Sequence, residues 1–213
     1  MEPSLALWAS VLSEVVMPFN DPTRLLLAVQ ADGHKVFTGS DYDMNIIGVR
    51  SPSRDPNKFD DHMHLVYWDD KGMLQHKQYR VTTDPGTYWL DNPMNVAGTA
   101  ILCAGQYRGA YRFGMHRGKY EALVQSGNKV KVYRDRNRDD ILDHNEDSTA
   151  EGYYGINIHR SSTRDGGSTR VDKWSAGCQV FADPDEFKDF LDTVRLQVKH
   201  HPRWTSFTYT LIE

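Results

Sequence analysis

Between residues 45 and 133 the sequence breaks into short extended runs separated by turn residues, and this spacing constrains the fold more than any other feature. Residues 45–50, 62–68, 74–82, 99–103, 109–116, 122–125 and 129–133 each read as a strand. Asp69-Asp70-Lys71-Gly72 closes a hairpin between two of them, and Asp84-Pro85-Gly86 and Asn92-Pro93 make further turns. The segment 51–57 carries Pro52 and Pro56 and reads as a loop. The intervals are too short for crossover helices, so the pattern predicts an antiparallel sandwich or barrel.

Helical periodicity flanks this body. Leu5, Trp8, Leu12, Val15 and Val16 predict a helix over 4–17, which Pro18 stops. Asp21-Pro22 predicts an N-cap and first turn for a second helix running to about Gly33. The expected organisation is a helical N-terminal segment over 1–34 and a β-rich domain over 35–213. Asp183-Pro184 opens a C-terminal helix with Phe187, Phe190, Leu191, Val194 and Val198 on its apolar stripe. Pro202 closes it, and 205–212 alternates as a last strand.

A net charge of −4 gives no basic footprint for nucleic acid, so no nucleic-acid partner is expected. No apolar run approaches the roughly 20 residues of a membrane span. The residues after Met1 lack a positive n-region, and Glu2 and Glu14 flank the apolar part. The expectation is therefore no secretory signal, with action in the cytoplasm or export by another route.

Two cysteines are present. Cys103 lies in an apolar run and reads as a small buried hydrophobe, although pairing with Cys178 stays open. Cys178 and His159 sit at the edges of two strand-like runs that bracket the polar, glycine-bearing stretch 160–170, read as a long mobile loop. Free cysteine is mostly thiol at neutral pH and needs a base to become a nucleophile; an imidazole supplies one. Ala176 and Gly177 are small enough to leave the sulfur reachable and backbone N–H groups free for an oxyanion. A core cysteine and a hydrogen-bonded loop histidine are the alternative.

Ile158-His159, a loop, and then Ser175-Ala176-Gly177-Cys178 resemble the signature of the L,D-transpeptidase (YkuD-type) family. The matching positions are His159, Ser175, Gly177 and Cys178. Arg160, Ala176 and Val180 depart from it, standing where that signature has glycine, a second histidine, and Arg or Asn. The resemblance implies a mainly β, L,D-transpeptidase-like β-sandwich carrying N-terminal helices and a C-terminal helix. It implies a cysteine acyl-enzyme on peptidoglycan stem peptides, with no cofactor required for catalysis. His159 would take the Cys178 proton, and the N–H groups of Gly177 and Cys178 would hold the oxyanion. The acyl group would pass to an amine or to water. His116, Asn157, Tyr154 and Trp174 are the expected substrate contacts, with Arg117 or Lys119 beside His116. Wall chemistry without a secretion signal suits a phage-encoded lysin, so a peptidoglycan-cleaving peptidase at the same Cys/His site is one alternative.

A second motif lies just upstream. Asp135, Asn137, Asp139, Asp143 and Glu146, with the carbonyl of Ile141, match the ligand order of a calcium loop. Asp140 stands where such loops carry glycine, at a turn that favours a left-handed residue. Structural Ca2+ is the expectation there, and a solvated acidic hairpin is the alternative. His62 and His64, with Asp60 nearby, alternate on one strand face and offer a weaker metal pair. A non-catalytic, calcium-stabilised wall-binding or virion module, using Trp68, Trp89 and Trp174 as a binding face, is the reading from a different class.

Overall fold

The structure, a computed structural model, describes residues 20–53 and 55–213. The helix expected over 4–17 and its Pro18 stop lie outside the described residues. Helix α1, Pro22–Ala31, starts as predicted: the Asp21 carboxylate accepts from the Thr23 N–H at 2.9 Å. Its Leu25, Leu26 and Val29 pack against Val36, Ile47, Val49, Val66 and Ile212. That shared cluster joins this helix directly to the β-rich body.

The strands are β1 Asn45–Val49, β2 Asp61–Trp68, β3 Leu74–Thr82, β4 Thr99–Leu102, β5 Gly105–His116, β6 Tyr120–Gln125, β7 Val130–Asp135, β8 Ala150–Gly152, β9 Ile158–Arg160, β10 Gln179–Phe181 and β11 Phe207–Ile212. Among the described residues, eight close into a barrel in the order β1-β11-β5-β6-β9-β10-β3-β2, and β4-β7-β8 form a second sheet. The chain is thus mainly β, with one large sheet and a few helices. The sandwich expected from the resemblance is realised only in part, because the pairing closes the larger sheet on itself. Closure comes from the parallel β1–β11 contact, Ile46 opposite Tyr209, which joins the two ends of the sheet-forming chain and leaves no local trace in the sequence.

Tyr111, Phe181, Phe207 and Tyr209 are fully buried in the main core. Helix α3, Pro184–His200, adds Phe187, Phe190, Leu191 and Val194 to it. Asp183 caps this helix through the N–H groups of Asp185 and Glu186. A short helix α2, Thr87–Asp91, follows the Asp84-Pro85-Gly86 turn. It is too short to show a period, and it seats Leu90 against Ile101, Cys103, Tyr133 and Leu142. Cys103 is buried there, and both cysteines are free thiols. No helix among the described residues is long and apolar enough to cross a membrane.

The stretch from Ser161 to Cys178, which holds the loop expected over 160–170, has no strand or helix and is tied to the barrel by hydrogen bonds and packing. Ser161 and Ser168 N–H groups donate to the carbonyls of Phe181 and Ala182. Val171 is buried with Phe59, Val180 and Ala182.

Candidate active site

Strands β9 and β10 run parallel with Ile158 opposite Gln179 and His159 opposite Val180. Gln179 N–H donates to the Asn157 carbonyl at 2.9 Å, which carries the pairing one step further back. Ile158 and Phe181 point into the barrel core. Side chains alternate along a strand, so His159 and Val180 face the other way. Cys178, two residues before Val180, shares that outer face. The barrel therefore sets the cysteine and the histidine on one face of neighbouring segments, with Cys178 beside Asn157 and His159 two positions further along.

The Cys178 sulfur is half-buried. Its Sγ accepts from the Asn157 N–H at 3.4 Å and donates to the Gly155 carbonyl at 3.4 Å. Burial pushes the thiol up to about 11, against a smaller downward pull from the Asn157 N–H and Arg117. His159 is 3% exposed. Burial, with neighbouring His116, pushes its imidazole down to about 3. At neutral pH the resting pair is a thiol and a neutral imidazole. His159 Nδ1 lies 2.8 Å from the Arg160 carbonyl, which can only accept. Nδ1 therefore carries the proton, and Nε2 keeps the basic lone pair. The Tyr120 hydroxyl, donating to the same carbonyl at 3.1 Å, closes this corner.

No family model, curated protein or solved structure matches this chain. Its chemistry follows from the arrangement of its own residues.

His116 stacks on His159 with ring centroids 4.0 Å apart. Asn157 Nδ2 donates to His116 Nδ1 at 3.1 Å, while Asn157 Oδ1 accepts the Gln125 N–H at 2.9 Å. Both predicted substrate contacts thus line the cleft, and His116, held by Asn157, packs on His159. Burial and the cations Arg117 and Arg160 push His116 down to about 4, so it stacks as a neutral ring.

Ser175 is fully buried, and its hydroxyl donates to the Cys178 carbonyl at 2.8 Å while accepting the Gly177 N–H at 3.1 Å. It locks the turn that presents Cys178 rather than touching a ligand. The resemblance assigns the Gly177 N–H to the oxyanion, but the Ser175 hydroxyl occupies it. Among the described residues the N–H groups of Ala176 and Cys178 have no protein partner, and they are the donors left for an oxyanion. Gly177 has φ 116, and a Cβ there would collide with the Ala100 carbonyl oxygen. Only glycine meets both conditions.

A cleft of about 470 Å3 opens onto Cys178, with His116, Arg117, Arg134, Tyr154 and Asn157 in its wall. Among the described residues no Asp or Glu lines it. Arg134 is 9% exposed; it donates to the Gly98 carbonyl at 3.2 Å and lies 4.4 Å over the Tyr154 ring. Arg134 was not legible as a site residue, because β7 reads as an ordinary strand and its partner Tyr154 lies across a loop. Gln125 was missed for the same reason. Its side chain holds the N–H groups of Tyr154 and Ile156 and the Gly152 carbonyl, which fixes the approach to His159. Trp174 does not line the Cys178 cleft. It lines a separate groove with Lys119, Tyr120, Arg160 and Arg164, because the 161–178 loop turns it outward.

The acidic loop is partly assembled. Asp135, Asn137, Asp139 and Asp143 contact one another, and burial, with Asp143 and Asp139, raises the Asp135 carboxyl to about 6. Glu146 is turned away, held by the Tyr133 hydroxyl at 2.8 Å and by Lys131. The Ile141 N–H donates to Asp139. The left-handed residue is Arg138, φ 58, and not Asp140. Of the histidine pair, His64 Nδ1 lies 2.9 Å from His76 Nε2 on β3, a contact across the hairpin.

Proposed function

We propose that this chain is a cysteine acyltransferase of the L,D-transpeptidase type, a divergent β-rich relative of that family, acting on peptidoglycan stem peptides of the cell wall. The observation that carries the reading is that Cys178 opens onto a cleft lined by His116, Arg117 and Arg134 and by no carboxylate among the described residues, with His159 stacked against His116. A stem peptide presents carboxylates, and such a cleft complements them.

In the proposed reaction His159 Nε2 takes the Cys178 proton as the sulfur attacks a peptide carbonyl carbon. The N–H groups of Cys178 and Ala176 face the developing oxyanion. The C–N bond to the following residue breaks, and its amine leaves with the proton from His159. An incoming amine or water then attacks the thioester, His159 takes its proton, and the thiol is restored. Amine attack gives a cross-link and water gives hydrolysis. With the thiol near 11 and the imidazole near 3 no resting thiolate forms, so proton transfer has to accompany attack. Catalytic hydrogen bonds are often long before substrate binds. This fits the resting sulfur, whose partners are Asn157 and Gly155.

The test is incubation of the full chain with purified peptidoglycan, followed by mass analysis of the fragments. New cross-linked or trimmed stem peptides are expected, and which of the two dominates identifies the acceptor. Unchanged fragments alongside stoichiometric, Cys178-independent binding to the wall would instead favour the non-catalytic wall-binding module.

A further inference from the structure

The loop over 135–146 is the one acidic feature that the proposed reaction leaves unused. Asp135 ends β7 and is 1% exposed. Its Oδ2 accepts the Asp143 N–H at 3.2 Å, and its Oδ1 is buried with no hydrogen-bond partner. A buried carboxylate oxygen left bare is costly, and native structures rarely keep one without a ligand. Asn137 Nδ2 lies 2.9 Å from Asp139 Oδ2 and 2.9 Å from Asp143 Oδ2. Among the described residues none of these three aspartates makes an ion pair. Of the cations around the loop, Arg136 donates to the Ala97 carbonyl and Lys131 reaches Glu146.

We propose that this loop binds one Ca2+ through side-chain oxygens of Asp135, Asn137, Asp139 and Asp143 and the backbone carbonyl of Ile141. The donors fall at alternate positions along one turn of chain, the order in which a single loop wraps this ion. Among the described residues no three acidic, histidine or cysteine groups already converge as a shell; the Asn137 amide nitrogen lies between the Asp139 and Asp143 carboxylates. A half-turn of that amide exchanges its nitrogen for oxygen. The result is an oxygen-only set of carboxylates and one amide that a cation holds together, with the bare Asp135 oxygen among them. An all-oxygen set on a pliable loop suits Ca2+, whereas Mg2+ demands tighter octahedral geometry and keeps its waters. With Glu146 held by Tyr133, water completes the shell. The ion would also brace the cleft: Asp135 pairs with Thr99, and Arg134 with Ala100, the residue whose carbonyl lies against Gly177.

The experiment is calorimetric titration of the chelator-treated full chain with CaCl2 and separately with MgCl2, alongside thermal unfolding. One Ca2+ per chain is expected, with a dissociation constant of roughly 10⁻⁶–10⁻⁴ M, at least about tenfold tighter than Mg2+, and a melting temperature raised on saturation. Asp139→Asn and Asp135→Asn should each weaken binding about tenfold or more, whereas Asp147→Asn, outside the set, should bind as the parent does. Asp139 is partly exposed, so its variant keeps the test decisive even where Asp135→Asn unfolds. No Ca2+ heat and no melting shift up to about 10 mM would overturn the proposal. Undiminished binding by Asp139→Asn, or Mg2+ binding as tightly as Ca2+, would overturn it too.

Discussion

Arg50 and Arg134 are both buried, yet one is closed and the other is left open. Arg50 donates through Nε to Thr83 Oγ1 at 3.0 Å, through Nη1 to Glu213 at 2.6 Å and through Nη2 to the Leu102 carbonyl at 2.7 Å, and Asp84 Oδ1 stands 3.1 Å from Nε. Its charge is neutralised inside the protein. Arg134 has one backbone carbonyl and one aromatic face, and no carboxylate among the described residues. Burying a cation without a counter-ion is expensive, and under the proposed function this position beside a cleft and a cysteine is where a ligand's carboxylate would sit. The first arginine holds the barrel ends together; the second, under the proposed function, is a half-made ion pair.

The contrast can be broken most severely at Arg50. Arg50→Ala removes the cation beside buried Asp84 and Asp61 and should cost about 3–5 kcal/mol in denaturant unfolding. A loss below about 1 kcal/mol would show that the cluster is not a structural lock.

The neutral imidazoles give the next effect. His159 sits at about 3 when folded, against an ordinary value of 6.5. The unfolded chain thus binds more protons between those values, and the stability tied to neutral His159 is present above pH 6.5 and lost on acidification. Asp61, raised to about 7 by burial and Asp84, titrates in the opposite sense over the same window. The comparison with His159→Gln isolates the histidine. Between pH 7 and pH 5 the parent should lose about 2 kcal/mol relative to that variant. Parallel stability curves would mean that the imidazole is not held neutral.

The smallest stability effect is at the open arginine. Arg134→Gln removes one carbonyl bond and one cation–π contact but also an uncompensated buried charge, so stability should change by less than about 1 kcal/mol. In turnover assays with stem peptides, however, it should raise KM about tenfold or more with little change in kcat. An unchanged KM would leave Arg134 as a packing residue.

How far all this could be read in the sequence follows from where each signal is stored. Helix starts at Asp21-Pro22 and Asp183-Pro184 were legible because a cap and a proline act within one turn. The hairpin through Asp69-Asp70-Lys71-Gly72 was legible for a similar reason. Barrel closure was not, because β1 and β11 meet from opposite ends of the described chain. At the site, His159 and Cys178 stood out by residue type and by their flanking strands. The role of Ser175 could not be read, since whether its hydroxyl meets a ligand or the Gly177 N–H depends on the turn geometry. Arg134 was invisible because an arginine on a strand becomes significant only when no carboxylate is found beside it.

The most direct test is the intact mass of the full chain during incubation with a tetrapeptide stem. A Cys178 nucleophile predicts a mass gain equal to the acyl fragment, located at Cys178, released by hydroxylamine, absent from Cys178→Ala and formed more slowly in His159→Ala. No adduct under conditions where the stem peptide binds, or an adduct that persists in Cys178→Ala, would contradict it.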